Sequence, residues 1–310
     1  MINVENITRY YGDFRAVHDV SFTVSDGEIT GLLGPNGAGK TTTLRMLTCF
    51  LKQNAGTITV YGTRTDEDPL KVKDLIGYLP ESAPIYPDML VYDYLKYVSD
   101  LRGIEKLNRI EEMGELCGIT DVMHKSVHEL SKGYKQRVGL AHAMIHDPKI
   151  LILDEPTSGL DPNQIIEIRN LIKELGKRKT VILSTHILPE VEATCDRVII
   201  INHGSIVADD RTENLQSLGG KKNVTSLRIS GGDTGAVEAA LKALPGISSV
   251  EKNTSDEMIS LTVAADGGSD LRPEIYGIIK NSDTVLFEMK QEQKSLENIF
   301  RELTVGGNNE

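Results

Sequence analysis

The sequence predicts an α/β protein: a largely parallel sheet covered by helices on both faces, followed by a smaller α+β unit. Three observations carry that prediction. Short apolar, β-branched runs alternate with amphipathic helical stretches over the first ~215 residues. Composition then shifts around Gly219-Gly220-Lys221-Lys222, which reads as a linker dividing the chain into units 1–219 and 220–310. Beyond it the patterns run strand, helix, strand, strand, helix, strand, the ferredoxin-like order.

Each element has a local reason. Strands are expected at Ile29–Leu33, Gly77–Leu79, Ile150–Leu153, Thr180–Ser184 and Arg197–Asn202, all short and rich in β-branched residues. Helices are expected at Thr41–Leu51, Val91–Leu101, Ser131–His146, Pro162–Leu175 and Leu188–Cys195. Asp161-Pro162 supplies an N-cap followed by proline at N1, and Asp147-Pro148 stops the helix before the strand at Ile150. Alternation of this kind implies parallel strands buried on both sides. Residues 1–28 and 55–63 read instead as short antiparallel strands, with Gly12, Gly27, Gly56 and Gly62 at turns. The stretch from Tyr86 to about Leu130 shows no convincing strand and reads as a helical insertion. In the second unit the expected elements are Ser226–Ser230, Thr234–Leu244, Ser248–Lys252, Met258–Ala264, Leu271–Asn281 and Thr284–Lys290. A short helix, Leu296–Leu303, and a frayed tail at Gly306–Asn309 follow.

Composition narrows the function. The chain has 310 residues, 39% hydrophobic and 25% charged, with no tryptophan. A core of this size needs no disulfide or structural metal as a staple. Cys49, Cys117 and Cys195 form no CxxC pair and suit reduced thiols in a cytoplasm. A net charge of -11 argues against nucleic acid as the main partner, because phosphate backbones need a basic surface. Glu5 and Arg9 interrupt the place of a signal peptide, and no run approaches 18 apolar residues. A role at a membrane would therefore require another polypeptide.

Two motifs carry the chemistry. Gly34-Pro35-Asn36-Gly37-Ala38-Gly39-Lys40-Thr41 matches GxxxxGK[ST], with a strand entering it and a helix leaving it. By composition the pattern would arise by chance about 0.02 times in such a chain. Its glycines let backbone N–H groups converge on phosphate oxygens, and the helix N-terminus favours an anion. Lys40 reaches the β- and γ-phosphates, and the Thr41 hydroxyl suits Mg²⁺. Second, the apolar run Ile150–Leu153 ends in Asp154-Glu155, so a buried strand delivers two carboxylates to the ligand crevice. Asp154 is expected to hold Mg²⁺ and Glu155 to polarise the attacking water as general base. A structural alternative, carboxylates capping the next turn, loses ground once Lys40-Thr41 is considered with them.

The ordered motif set across residues ~10–205 resembles the ATP-binding subunit of ABC transporters. Gly34–Thr41 looks like the Walker A loop and Ile150–Glu155 like Walker B. Leu130-Ser131-Lys132-Gly133-Tyr134 is similar to the LSGGQ signature; Ser158-Gly159-Leu160-Asp161 resembles the D-loop, and Ser184-Thr185-His186 the switch-histidine strand end. The resemblance implies a P-loop NTPase core of the ABC ATPase kind: a RecA-like parallel sheet, an antiparallel β subdomain and a helical subdomain at about 86–146, with an accessory ferredoxin-like domain.

Site roles follow from the resemblance residue by residue. Gly34, Asn36, Gly37, Ala38, Gly39, Lys40, Thr41 and Thr42 would bind the phosphates of ATP. Tyr11, before Gly12, stands where an aromatic stacks on adenine, worth ~1–3 kcal/mol by analogy with base stacking; neighbouring Tyr10 is the alternative. Ser131 and the backbone of Gly133 would bind the γ-phosphate held by a second ATP-binding subunit, so that two chains close head-to-tail around two nucleotides. Asp161 would link the facing sites, and His186 would contact the γ-phosphate and order the water. Glu81 stands where most members carry glutamine; it keeps an oxygen for Mg²⁺ or water, loses the amide donor and adds charge. Lys132 and Tyr134 replace a glycine and the glutamine of the signature, while Ser131 and Gly133 remain.

Thr41-Thr42-Thr43, the IGYLPE string and the Ser-Lys-Gly-Tyr signature resemble subunits serving ABC-2-type exporters. The expected protein is an Mg-ATP-driven ATPase, cytoplasmic and peripheral on the inner face of the cell membrane, paired with an identical chain and an ABC-2-type permease. A soluble ABC ATPase acting on nucleic acid or ribosomes is the alternative; one cassette, no zinc spacing and net acidity weigh against it. A P-loop kinase or small GTPase lacks the signature, and no guanine-reading NKxD string is present.

Overall fold

Strand β3 (Ile29–Leu33) lies inside a six-stranded sheet and leads directly into the glycine loop. The computed structural model describes residues 1–104, 106, 108–214, 223–255, 258–265 and 270–292. The chain divides into two compact units, Met1–Thr212 and Glu213–Glu310. The linker at 219–222, the helix expected at 296–303 and the tail at 306–309 lie outside the described residues.

In the first unit β3 pairs in parallel with β8 (Thr180–Thr185) and β9 (Arg197–Asn202), and β8 continues to β7 (Ile150–Asp154) and β6 (Ile76–Leu79). β10 (Ser205–Arg211) adds an antiparallel edge, giving the order β10-β9-β3-β8-β7-β6. Every residue of β3, β7 and β8 is buried, which is why these strands read as continuous rather than alternating apolar runs. A second, antiparallel sheet has the order β2-β1-β4-β5, from β1 (Ile2–Tyr11), β2 (Phe14–Val24), β4 (Ala55–Val60) and β5 (Thr63–Arg64). β1 and β2 run 10 and 11 residues, longer than the short strands expected. α1 (Lys40–Leu47) contributes Leu44, Met46 and Leu47 to one core with Ile2 and Val4 of β1 and Ile150 and Ile152 of β7. Each such side chain contributes ~1.5–3 kcal/mol by leaving water, so the loop at the head of α1 stands on a rigid base.

α1 ends at Leu47 rather than at Leu51. The Thr48 hydroxyl donates to the Leu44 carbonyl, Cys49 turns left-handed at φ 57°, and the N–H groups of Phe50 and Leu51 both return to the Arg45 carbonyl. α2 (Pro69–Leu75), unforeseen from the pattern, carries ordinary start signals: proline at its first position and the Asp68 carboxylate accepting from Lys71 N. The expected insertion contains α3 (Val91–Leu101), α4 (Arg109–Cys117) and α5 (Lys132–Met144), which pack on one another; α5 also packs on β6 and ties the insertion to the sheet edge. α6 (Pro162–Gly176) and α7 (Leu188–Thr194) complete the unit.

The second unit is built on β11 (Asn223–Ser230), α8 (Thr234–Lys242), β12 (Ile247–Ser255), β13 (Met258–Ala265), α9 (Arg272–Lys280) and β14 (Val285–Glu292). Its sheet order, β12-β13-β11-β14 with all pairs antiparallel, is the one βαββαβ predicts. Leu227, Ile229, Leu261 and Val263 meet Val237 and Leu241 of α8 and Ile275 and Ile279 of α9 in a separate core.

Candidate active site

The loop between β3 and α1 is shaped by backbone that only glycine accommodates. At Gly39 φ is 105°, and a Cβ there would stand 2.6 Å from the Ala16 carbonyl; at Gly34 a Cβ would stand 2.3 Å from that of Ile201. The turn therefore closes tightly on its neighbours and aims the first N–H groups of α1 outward, where no helical partner exists for them. No side chain caps this helix end.

Lys40 is 5% exposed. Its Nζ donates to the carbonyls of Gly34 (2.8 Å) and Pro35 (3.2 Å) and lies 3.3 Å from Glu155 Oε1. The other Glu155 oxygen, Oε2, is 2.9 Å from His186 Nδ1. A carboxylate oxygen accepts, which puts the imidazole proton of that contact on Nδ1. Glu155 holds a left-handed φ of 49°, a conformation costing ~1–3 kcal/mol in a non-glycine residue and characteristic of functional sites. Thr41 Oγ1 donates to Asp154 Oδ1 at 3.1 Å, and Asp154, almost fully buried, also accepts from Ser184 Oγ at 2.5 Å. Ser184 Oγ accepts from Glu155 N at 3.0 Å, so one hydroxyl near the end of β8 holds the Asp154 carboxylate and the backbone of Glu155.

Lys40, Thr41, Glu155 and His186 line a cleft of 420 Å³, while Asp154 and Ser184 are buried. Asn36, Gly37, Ala38, Gly39 and Thr42 line it as well, together with Glu81, Ser158, Tyr11, Phe14 and Ala16. Tyr11 is 44% exposed, with the Arg9 guanidinium 5.3 Å from its ring centroid. Tyr10 is not part of the wall; its N–H is fixed to Asn54 Oδ1. Phe14, which pairs with Tyr11 across the β1–β2 turn, offers a second aromatic face that the sequence reading did not single out. Gly34 directly follows β3, and its carbonyl accepts from Lys40.

Ser131, Gly133 and Asp161 stand apart from the cleft wall. Ser131 is the exposed N-cap of α5, its Oγ accepting from Tyr134 N, and Gly133 is buried in the first turn against Gln164. Asp161 caps α6, one carboxylate oxygen accepting from both Asn163 N and Gln164 N at 3.0 Å. Cys117 and Cys195 are buried; burial pushes the Cys117 thiol up to about 12 and that of Cys195 further, so neither is a nucleophile.

The chain's relatives carry the same theme. The ABC transporter family model matches residues 17–158, and a second, described as an AAA domain, putative AbiEii toxin, Type IV TA system, matches 126–191. YdbJ of Bacillus subtilis strain 168, an uncharacterized ABC transporter ATP-binding protein, is 35% identical over 306 residues, covering 98% of this chain and 95% of YdbJ. The chain belongs to the ATP-binding subunits of ABC transporters. The linearmycin resistance ATP-binding protein LnrL of the same organism is 31% identical over 309 residues, 98% of each chain. Among solved structures, the dimeric structure of MJ0796, a bacterial ABC transporter cassette, superposes with a TM-score of 0.63 at 25% identity over 68% of this chain and 99% of that one. The subunit is thus an ATP-binding ATPase of the P-loop fold, from a family whose members dimerise and work with membrane permeases. Among the described residues no helix is long and apolar enough to cross a membrane.

Proposed function

We propose that this subunit hydrolyses Mg-ATP in a site shared by two identical chains and drives export through a separately encoded ABC-2-type permease. The observation that carries the reading is the placement of Lys40, Glu155 and His186 around one glycine-lined cleft, with Ser131 the exposed N-cap of α5 elsewhere and Gly133 in its first turn.

In this reading the loop from Gly34 to Thr42 cradles the phosphates and Tyr11 stacks on adenine. An incoming γ-phosphate competes with Glu155 for the Lys40 ammonium, which leaves the carboxylate free to accept a proton from the attacking water. His186, beside Glu155, holds that water against the phosphorus. The site suits Mg²⁺: Thr41 Oγ1 and Asp154 Oδ1 are hard oxygen donors 3.1 Å apart, and Glu81 lines the same cleft as Thr41. Held by these oxygens, Mg²⁺ would supply positive charge against the phosphates. Catalysis is then mostly positioning and electrostatics. The N-terminus of α5, with Ser131 and the Gly133 N–H, supplies donors to the γ-phosphate of the second chain. Asp161 lies on the same facing surface and links the two sites.

The permease partner has a receiving surface. A groove of 620 Å³ runs beside Glu81 between the sheet edge and the helical insertion, lined by Phe50, Tyr78 and Pro80 together with the cations Arg45, Lys73 and Arg102. Phe50, at 71% exposed, is a large apolar side chain left on its rim. A cytoplasmic segment of the permease seated there would meet Pro80, the chain neighbour of Glu81, and carry closure of the pair to the membrane. LnrL, a relative along its whole length, is named for resistance to linearmycin, which favours export over import. The working location is the cytoplasmic face of the cell membrane.

The test is co-purification from native membranes. The subunit should be recovered with a polytopic protein carrying about six apolar spans of ~20 residues each, and substitutions Phe50→Asp and Arg102→Glu should release it. Recovery with ribosomes or nucleic acid instead would overturn the export reading.

A further inference from the structure

One buried carboxylate has no part in the mechanism above. Glu190, on α7, is 5% exposed. Its Oε1 accepts from Thr157 Oγ1 at 2.6 Å and its Oε2 from Thr185 Oγ1 at 2.7 Å. Among the described residues no cation pairs with it. A buried carboxylate without a counter-charge costs several kcal/mol, and two short charge-assisted hydrogen bonds are what offset it.

Both threonines sit at telling positions. Thr157 is two residues past Glu155, in a turn where Ser158 N donates to Glu155 O and Leu160 N to Thr157 O. Thr185 is the last residue of β8, immediately before His186, and its Oγ1 also accepts from Ile187 N at 3.0 Å. Glu190 therefore ties together the two backbone segments that carry Glu155 and His186. Those side chains meet at 2.9 Å with Glu155 in a strained left-handed conformation that needs outside support. Had the position only to fill space, an apolar residue would serve, as Leu188 and Val191 do on the same helix.

We infer that Glu190 is a positioning residue for hydrolysis: its two-threonine clamp sets the separation and orientation of Glu155 and His186, and so the place where water is held. The inference rests on the roles proposed above for that pair. Misplacement by about 1 Å of a group that orients the nucleophile costs ~100-fold, so a loosened clamp should lower turnover while leaving the phosphate cradle intact.

The experiment measures kcat, ATP affinity and Tm in the full chain. Glu190→Ala should lower kcat by ~10- to 100-fold with ATP affinity changed by less than about twofold. Glu190→Gln keeps an acceptor for one threonine and a donor for the other, and should recover most of the rate. If Glu190→Ala does not fold, Thr157→Val and Thr185→Val each remove one hydroxyl at nearly constant shape and should show the same split between kcat and affinity. The deciding readout is a double-mutant cycle with His186→Ala. If the clamp acts through the histidine, adding Glu190→Ala to His186→Ala costs less than about twofold more. Full multiplicative losses both in this cycle and in the matching one with Glu155→Gln, or a loss confined to Tm, would overturn the inference. A fully active His186→Ala would instead sink the role of His186, a result distinguishable from failure of the clamp.

Discussion

The heads of α1 and α5 are both helix N-termini suited to an anion, yet the chain finishes them differently. At α1 the cap is a left-handed glycine with no side-chain hydrogen bond, and the next residue, Lys40, is buried against two loop carbonyls and Glu155. At α5 the cap is an exposed serine closing on its own helix, and no catalytic side chain of the same cleft stands over it. One end is walled by its own chain; the other is presented outward. The proposed site divided between two molecules requires that asymmetry: in that reading the walled end holds the nucleotide and the open end completes the site only on association.

The comparison breaks most sharply at Glu155. Glu155→Gln should lower steady-state ATPase turnover by ~10²–10⁴-fold, the range of general base catalysis, while ATP binding persists and an ATP-dependent dimer accumulates on size-exclusion chromatography. Near-normal turnover would remove Glu155 from the base role. Lys40→Ala acts on the walled end before association. It deletes charge-assisted contacts worth ~1.5–3 kcal/mol each, so ATP affinity measured by calorimetry should fall by at least ~10-fold; unchanged affinity would refute the cradle. Ser131→Ala sharpens the contrast from the other side. Affinity of the isolated chain for ATP should hold, while dimerisation and turnover fall about tenfold and the lost cap costs ~0.5–2 kcal/mol of stability. An equal loss of monomer affinity would mean that Ser131 serves its own chain's nucleotide.

The smallest effect lies away from both ends, in the groove. His146 is half-buried, its Nε2 donating to the Ile76 carbonyl, and burial lowers its pKa from 6.5 to about 4. The unfolded chain takes up a proton at His146 below pH ~6.5 that the folded chain refuses until about 4, so this group's contribution to stability falls as pH drops through that window and is constant above it. His146→Gln should flatten the dependence of Tm on pH between 6.5 and 4. A slope identical to that of the unaltered protein would show that other groups carry it.

Most of the walled end was legible in the sequence, because its chemistry is local. Gly34–Thr41 is contiguous, and Asp154-Glu155 follows directly from an apolar run. The strands of the parallel sheet were legible for the same reason: complete burial makes them read as unbroken β-branched runs. What escaped depends on long-range contact. Ser184 grips Asp154 from 30 residues away, and Glu190 reaches Thr157 across 33, and neither pairing leaves a local pattern. β10 was missed because it is an edge strand ending in Asp209, Asp210 and Arg211, with little apolar alternation to mark it. The early end of α1 was missed because the left-handed turn at Cys49, with Phe50 and Leu51 N–H returning to the Arg45 carbonyl, falls on a residue with no preference for it.

The central claim is that ATP is hydrolysed only where the cradle of one chain meets the α5 head of another, and ATPase activity per chain over a wide dilution series tests it directly. With saturating Mg-ATP, turnover per chain should fall in proportion to concentration once the protein is diluted below the dimerisation constant, and plateau well above it. Turnover per chain that stays constant while light scattering reports only monomers would contradict it.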